Sequence, residues 1–208
     1  MDSPEISQAL AALRRRVAPG SRTILGITGA PGAGKSTFAA WIQQQFRPGT
    51  AVVVPMDGFH LGNAVIDGTP LRQRKGAIDT FDGGGYLSLL RRLAARDEPV
   101  VYAPEFRRAI DEPVAASIAV AADVPLVITE GNYLLAGQEP WKEVRAQLDE
   151  VWFVETPPAL RLQRLVDRHV SFGMDREAAR AWATGPDEAN AVLIQATRPA
   201  ADRVIPWR

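Results

Sequence analysis

One segment constrains this chain more than any other: ILGITGAPGAGKST, residues 24–37. Gly29, Gly34, Lys35 and Ser36 satisfy the spacing G-x-x-x-x-G-K-[ST]. An apolar run precedes the motif and a helical pattern follows it, the strand–loop–helix context that the motif requires. The spacing has a physical reason. Glycines let successive backbone N–H groups turn inward around an anion, and the following helix aims its positive end at the same point. Lys35 adds a mobile cation for the outer phosphates, and the Ser36 hydroxyl suits Mg²⁺. Gly29, Ala30, Pro31, Gly32, Ala33, Gly34, Lys35, Ser36 and Thr37 are therefore expected to wrap the phosphates of a nucleotide.

Beyond this loop, buried apolar runs alternate with helical patterns. RTILGIT, AVVVPM, PVVYA, SIAVAA, PLVITE, VWFVE and RVIPW read as strands. Helices are expected over residues 35–45, in YLSLLRRLAAR, from Ala159 to His169, and in DREAARAWAT and DEANAVLIQAT. An N-terminal helix is signalled by Ser3 as a cap, Pro4 in the first turn and Pro19-Gly20 at the end. Its Ile6, Leu10, Leu13 and Val17 share one face, and Arg14, Arg15 and Arg16 are expected in solvent. Such alternation predicts an α/β P-loop fold, a three-layer sandwich with a parallel central sheet covered on both faces. No internal repeat or linker interrupts it, so residues 1–208 are read as one domain.

Lys plus Arg equals Asp plus Glu, 24 each, which argues against a general nucleic-acid binder. There is no cysteine, so disulfides and thiolate metal sites are excluded. The apolar runs are strand-sized, well short of the ~20 residues that span a bilayer, so no membrane insertion is expected. Asp2 and Glu5 come before the arginines, the reverse of a secretory signal, and the expectation is a cytoplasmic protein. A homodimer stays open, because apolar faces that pack a core look like those that pack a partner.

In open parallel sheets, ligands sit outside the carboxyl ends of the strands. The polar residues just after the strands are thus the candidates. Asp57, in MDGFH, follows the second strand and is expected to be the base that takes a proton from a substrate hydroxyl, although Asp-Gly is also a favoured turn pair. Glu130, in EGNY, ends an apolar strand as a Walker B acid does and could hold Mg²⁺. His60 either bonds a substrate or simply sits in its loop. The helix from Ala159 carries two stripes. Leu162, Leu165, Val166 and His169 form an apolar face, with His169 expected in the core. Arg161, Arg164 and Arg168 form a second face, which could close over a transferring phosphoryl group, Arg164 and Arg168 ahead of Arg161. RQRKGAIDTFD adds Arg72, Arg74, Lys75, Asp79 and Asp82 in a long loop, with Asp82 also a candidate helix cap.

With these residues in hand, the chain resembles the uridine kinase, pantothenate kinase and phosphoribulokinase family of P-loop kinases, and within it the small bacterial proteins labelled nucleoside/nucleotide kinase family or fructose transport system kinase. GAPGAGKST, PMDGFHL, RKGAIDTFD, ITEGNYLL, LDEVWFVE, RLQRLVDRH, DEANAVLIQAT and ADRVI carry the resemblance across nearly the whole chain. It implies a nucleoside-monophosphate-kinase-like fold with a helical lid near residues 157–185. It also implies ATP with Mg²⁺ and phosphorylation of a small-molecule hydroxyl. By position, Asp57 matches the catalytic aspartate, Lys35 and Ser36 the phosphate and metal residues, and Arg164 and Arg168 the lid cations. His60, Lys75 and Asp79 fall in the substrate-side motifs, as do Glu130 and Asn132 of EGNY. Asn190 and Arg198 fall where the adenine is usually flanked. In APEFRRAIDEP the family's aspartate is replaced by Arg107 while Arg108 keeps the arginine, which puts the usual acceptor contacts in question.

Two other classes compete. A GTPase would need Asn-Lys-x-Asp, which is absent, and Asp82 to Gly85 matches the Asp-x-x-Gly pattern without a preceding strand. A nucleotide sensor or ATPase associated with a transporter would lack an acceptor, and Asp57 with the arginine stripe weighs against it.

Overall fold

The computed structural model describes residues 3–207; Asp2 lies outside them. The elements in chain order are α1 (Pro4–Arg16), β1 (Thr23–Thr28), α2 (Lys35–Gln44), β2 (Ala51–Pro55), α3 (Asn63–Ile66), α4 (Gly83–Ala95), β3 (Val100–Arg107), β4 (Glu112–Ala121), β5 (Leu126–Glu130), α5 (Trp141–Ala146), β6 (Glu150–Glu155), α6 (Pro158–Ser171), α7 (Arg176–Thr184), α8 (Pro186–Ala196) and β7 (Arg203–Pro206). Five strands form one sheet in the order β2-β5-β1-β6-β7, and every pair in it is parallel. This is the expected α/β fold.

The sheet is buried on both faces, and strand alternation divides the core in two. Leu25, Ile27, Leu126, Ile128, Trp152 and Val154 turn toward Ile6, Ala9 and Leu13 of α1 and Phe38, Ala39 and Ile42 of α2. Ile24, Val54, Val127, Val151 and Phe153 turn the other way, toward Tyr86, Leu90 and Leu93 of α4 and Trp141 and Val144 of α5. The one polar side chain in mid-β5, Thr129, is satisfied: its hydroxyl donates to Val54 O at 2.7 Å and meets the Tyr86 hydroxyl at 2.6 Å.

The caps fall where the side chains put them. Ser3 Oγ accepts from Ile6 N at 3.3 Å, and Asp82 Oδ1 accepts from Gly85 N at 2.8 Å. Ile6, Leu10 and Leu13 are buried and Arg14, Arg15 and Arg16 are exposed. No helix among the described residues is long and apolar enough to cross a membrane.

The segments PVVYA and SIAVAA are a correction. They do not join the parallel sheet but form a separate antiparallel ribbon, β3 with β4. A parallel neighbour needs a crossover of roughly a dozen residues or more, and only four residues separate Arg107 from Glu112. The pairing also runs beyond the apolar segments, because Glu105, Arg107 and Glu112 alternate as polar positions on an exposed ribbon. The helix α5 was not anticipated; six residues with Trp141 and Val144 as its buried positions are too short to show a period.

The long polar stretch after β2 is pinned at its ends. His60 pairs with Phe81 across an isolated antiparallel bridge, and Asp82 N donates to Phe59 O at 2.8 Å. Short helical turns at Met56–Phe59, Arg72–Arg74 and Ile78–Thr80 fold the rest into a compact loop.

Candidate active site

The loop after β1 is built as its glycines require. Gly29, Gly32 and Gly34 have φ of 151, 79 and 87, a region that L side chains rarely adopt. At Gly29 and Gly32 there is no room either, since an added Cβ would lie 2.6 Å from Val154 O and 2.6 Å from Arg161 O respectively. The loop is thus closely seated between β6 and α6. Lys35 Nζ donates to Gly29 O at 3.0 Å and Ala30 O at 3.4 Å. Burial pushes its pKa down, against the charges of Glu130 and Asp57, which push it up.

The strand register brings the predicted acids to this loop. Glu130 pairs with Ile27 on one side and Pro55 on the other, so its carboxylate, the cradle and Asp57 meet at one end of the sheet. Ser36 Oγ donates to Glu130 Oε1 at 2.8 Å. Burial first, then the charge of Asp57, raises the Glu130 carboxyl above its ordinary range, opposed by Lys35 and the Ser36 hydrogen bond. His60 is held by its Nδ1 against Asp57 O at 2.8 Å and stacks against Phe81 and Phe106, and burial lowers its pKa.

Two clefts flank the cradle. One, of about 600 Å³, is lined by Pro31, Lys35, Ser36, Asp57, His60, Lys75, Arg108, Glu130, Asn132, Arg168 and Asn190. The other, of about 810 Å³, is lined by Ala30, Ala33, Glu155, Thr156, Arg161, Glu188 and Trp207 and is bounded by the ends of β6 and β7.

Several predicted residues sit elsewhere than expected. Asp79 does not line either cleft; it pairs with Arg74 at 2.5 Å on the surface. Asn190 lines the acid-bearing cleft and not the other. Arg198 lines neither; its Nε lies 2.9 Å from Glu155 Oε1, without hydrogen-bond alignment. Arg164 also lines neither cleft, and its Nη1 is buried without a partner among the described residues, near Gly34. Arg161, ranked last of the three lid arginines, is instead the one tied to the loop: it donates to Pro31 O at 3.2 Å and pairs with Glu188. Lys75 lines its cleft, but its ammonium is already held by Asn63 Oδ1, Asp111 O and Asp111 Oδ2 at 2.7, 2.6 and 2.8 Å. His169, expected in the core, faces the cleft and pairs with Asp187 at 2.8 Å. Phe106, Phe172, Trp182 and Asp187 also line that cleft and were not anticipated. Arg107 points away from it, 3.7 Å from Glu105.

The fold and cradle define a P-loop kinase. No family model matches the chain. It is 37% identical over 164 residues to an ATP-dependent kinase-like protein of Aspergillus versicolor, covering 74% of this chain and 95% of that one. It is 32% identical over 161 residues to a candidate uridine kinase of Schizosaccharomyces pombe, covering 74% of this chain and 68% of that one. The crystal structure of a candidate fructose transport system kinase from Silicibacter sp. TM1040 superposes with a TM-score of 0.87 at 36% identity, over 98% of this chain and 100% of that one. The chain belongs to the uridine-kinase-like family of P-loop kinases that these proteins represent.

Proposed function

We propose that this protein is an ATP-dependent kinase that transfers the γ-phosphate of ATP to a hydroxyl of a small molecule. One observation carries the reading: Asp57 shares a cleft with Lys35, Ser36 and Glu130, so a hydroxyl and a γ-phosphate have one place to meet. Asp57 takes the hydroxyl proton, the freed oxygen attacks the γ-phosphorus, and the bond to ADP breaks. Lys35 and Arg168 face the charge that spreads over the moving group. The Ser36 hydroxyl and Glu130 carboxylate, in contact beside the cradle, are hard oxygen donors that fit Mg²⁺. No group of three or more His, Cys, Asp or Glu among the described residues is placed to hold a metal. That suits an ion bound mostly by phosphates and water. When bound, it neutralises phosphate charge.

The test is ADP release by purified protein with ATP and Mg²⁺ across nucleosides, pantothenate, sugars and their monophosphates. Stimulation by one acceptor class is expected. Steady basal hydrolysis that no acceptor stimulates would favour a nucleotide sensor or ATPase. The raised Glu130 carboxyl adds a pH signature. An acid whose pKa is raised takes its proton earlier as pH falls, and a protonated Glu130 is a poor cation ligand. The apparent affinity for Mg²⁺, titrated at fixed ATP, should weaken at a pH above the ordinary glutamate value of about 4.3. Glu130→Gln should flatten that dependence; an unchanged profile in the variant would remove Glu130 from the metal site.

A further inference from the structure

The kinase reading leaves the kind of acceptor open, and the cations of the acid-bearing cleft bear on it. Two of them are already engaged. Arg72 and Lys75 both bond Asp111 Oδ2, at 3.2 and 2.8 Å, and both donate to Asn63 Oδ1 at 2.7 Å. This clasp ties the loop after β2 to the tip of the β3–β4 hairpin, where Asp111 holds φ 52.

The clasped tip delivers Arg108. Its Nη2 lies 3.5 Å from Asp57 Oδ2, at the limit of a hydrogen bond, and its guanidinium stands 6.0 Å over the Phe172 ring. From α6, on the other side, comes Arg168. Among the described residues its guanidinium has no hydrogen-bond or ion-pair partner, although the residue is half-buried. The two guanidiniums are close enough that Arg108 helps lower the Arg168 pKa, after burial as the larger cause. Of the carboxylates that act on Arg168, Asp187 is bonded by His169, Asp57 faces Arg108, and Glu130 accepts from Ser36. The lining of the cleft carries five cations, Lys35, Arg72, Lys75, Arg108 and Arg168, against four carboxylates, Asp57, Asp111, Glu130 and Asp187, and the one acid that faces Arg108 is Asp57 at 3.5 Å. Arg168 and Lys35 belong with the transferring phosphoryl group. Arg108 stands on the β3–β4 hairpin, beside Asp57 and over the Phe172 ring.

We propose that the acceptor is itself an anion, a compact alcohol bearing a carboxylate or phosphate, and that Arg108 binds this group while Asp57 takes the proton of the hydroxyl. The inference rests on the kinase reading. The Arg108–Asp57 distance puts the anionic group and the reacting hydroxyl a few bonds apart.

Two measurements decide it. In the first, protein saturated with a non-hydrolysable ATP analogue and Mg²⁺ is titrated with inorganic phosphate by calorimetry. One millimolar site is expected, lost in Arg108→Met; no phosphate binding to the unmodified protein would overturn the proposal. In the second, matched pairs are compared as acceptors: glycerol with glycerate, fructose with its monophosphates, uridine with uridine monophosphate. The anionic member should have at least about a tenfold higher kcat/KM, and Arg108→Met should raise its KM about 10- to 100-fold with a much smaller change in KM for ATP. A preference for the neutral member overturns the anionic acceptor and leaves the kinase standing. Basal hydrolysis that nothing stimulates overturns the kinase reading itself, while the phosphate titration still decides the anion site.

Discussion

Asp57→Asn is expected to lower acceptor-dependent ADP release by roughly 10²- to 10⁴-fold, the usual contribution of a positioned general base. The substitution keeps the shape and removes the proton acceptor together with its charge, which also acts on Lys35, Glu130 and Arg108. The backbone carbonyl of residue 57 still holds His60, and the asparagine oxygen still faces Arg108. Glu130 cannot take over as the base. It is buried, donated to by Ser36, and held by β5 in register with β1 and β2. Nucleotide affinity should therefore stay within a few-fold, because the cradle's N–H groups and Lys35 stay in place. Turnover and fluorescent-nucleotide binding separate the two effects. Normal turnover by the variant with its true acceptor would show that another group takes the proton, and a parallel loss of nucleotide binding would show that Asp57 acts through the loop's structure.

What could be read in the sequence follows the range of the forces involved. The cradle was legible because its chemistry is local: glycine φ angles, a helix N-terminus and a lysine within eight residues. The helix α6 and its apolar stripe were legible for the same reason, since a period of 3.6 needs no partner. The side chain of Arg161 was not. On that helix it looks like Arg164 and Arg168, and only the close approach of α6 to Gly32 makes it the buried tie to Pro31 O. The clasp of Lys75 on Asp111 spans 36 residues, and the His169–Asp187 pair spans 18. Neither leaves a spacing to recognise, so Lys75 looked available to a substrate and His169 looked like core. Asp79 shows the converse. A motif placed it at the substrate side, and a neighbour five residues away, Arg74, turned it to the surface. The β3–β4 ribbon escaped because short apolar runs do not state their partner; a connection of four residues decides for a hairpin once the strand ends are known.

Gly32→Ala tests whether α6 is seated on the phosphate loop, as the geometry says. Two costs add at this position. A side chain at φ 79 carries the left-handed penalty of about 1–2 kcal/mol. The new Cβ would also lie 2.6 Å from Arg161 O and 2.8 Å from Leu165 Cγ. A backbone carbonyl cannot swing aside like a side-chain tip, so the helix must move, at about 1–3 kcal/mol for overpacking. A combined loss of about 3 kcal/mol lowers the Tm of a chain this size by about 6–12 °C. Gly49→Ala is the control. Its φ is 81 with nothing within 4 Å, so it isolates the backbone penalty, about 1–2 kcal/mol or roughly 2–8 °C. Because α6 also carries Arg161 and Arg168, its displacement should reduce turnover, on the order of 10²-fold for a shift of ~1 Å, while Gly49→Ala leaves turnover unchanged. Thermal unfolding and initial rates on both variants give the answer. If Gly32→Ala melts and turns over like Gly49→Ala, then α6 is not packed against the loop, and the arginines it carries are not positioned by that contact.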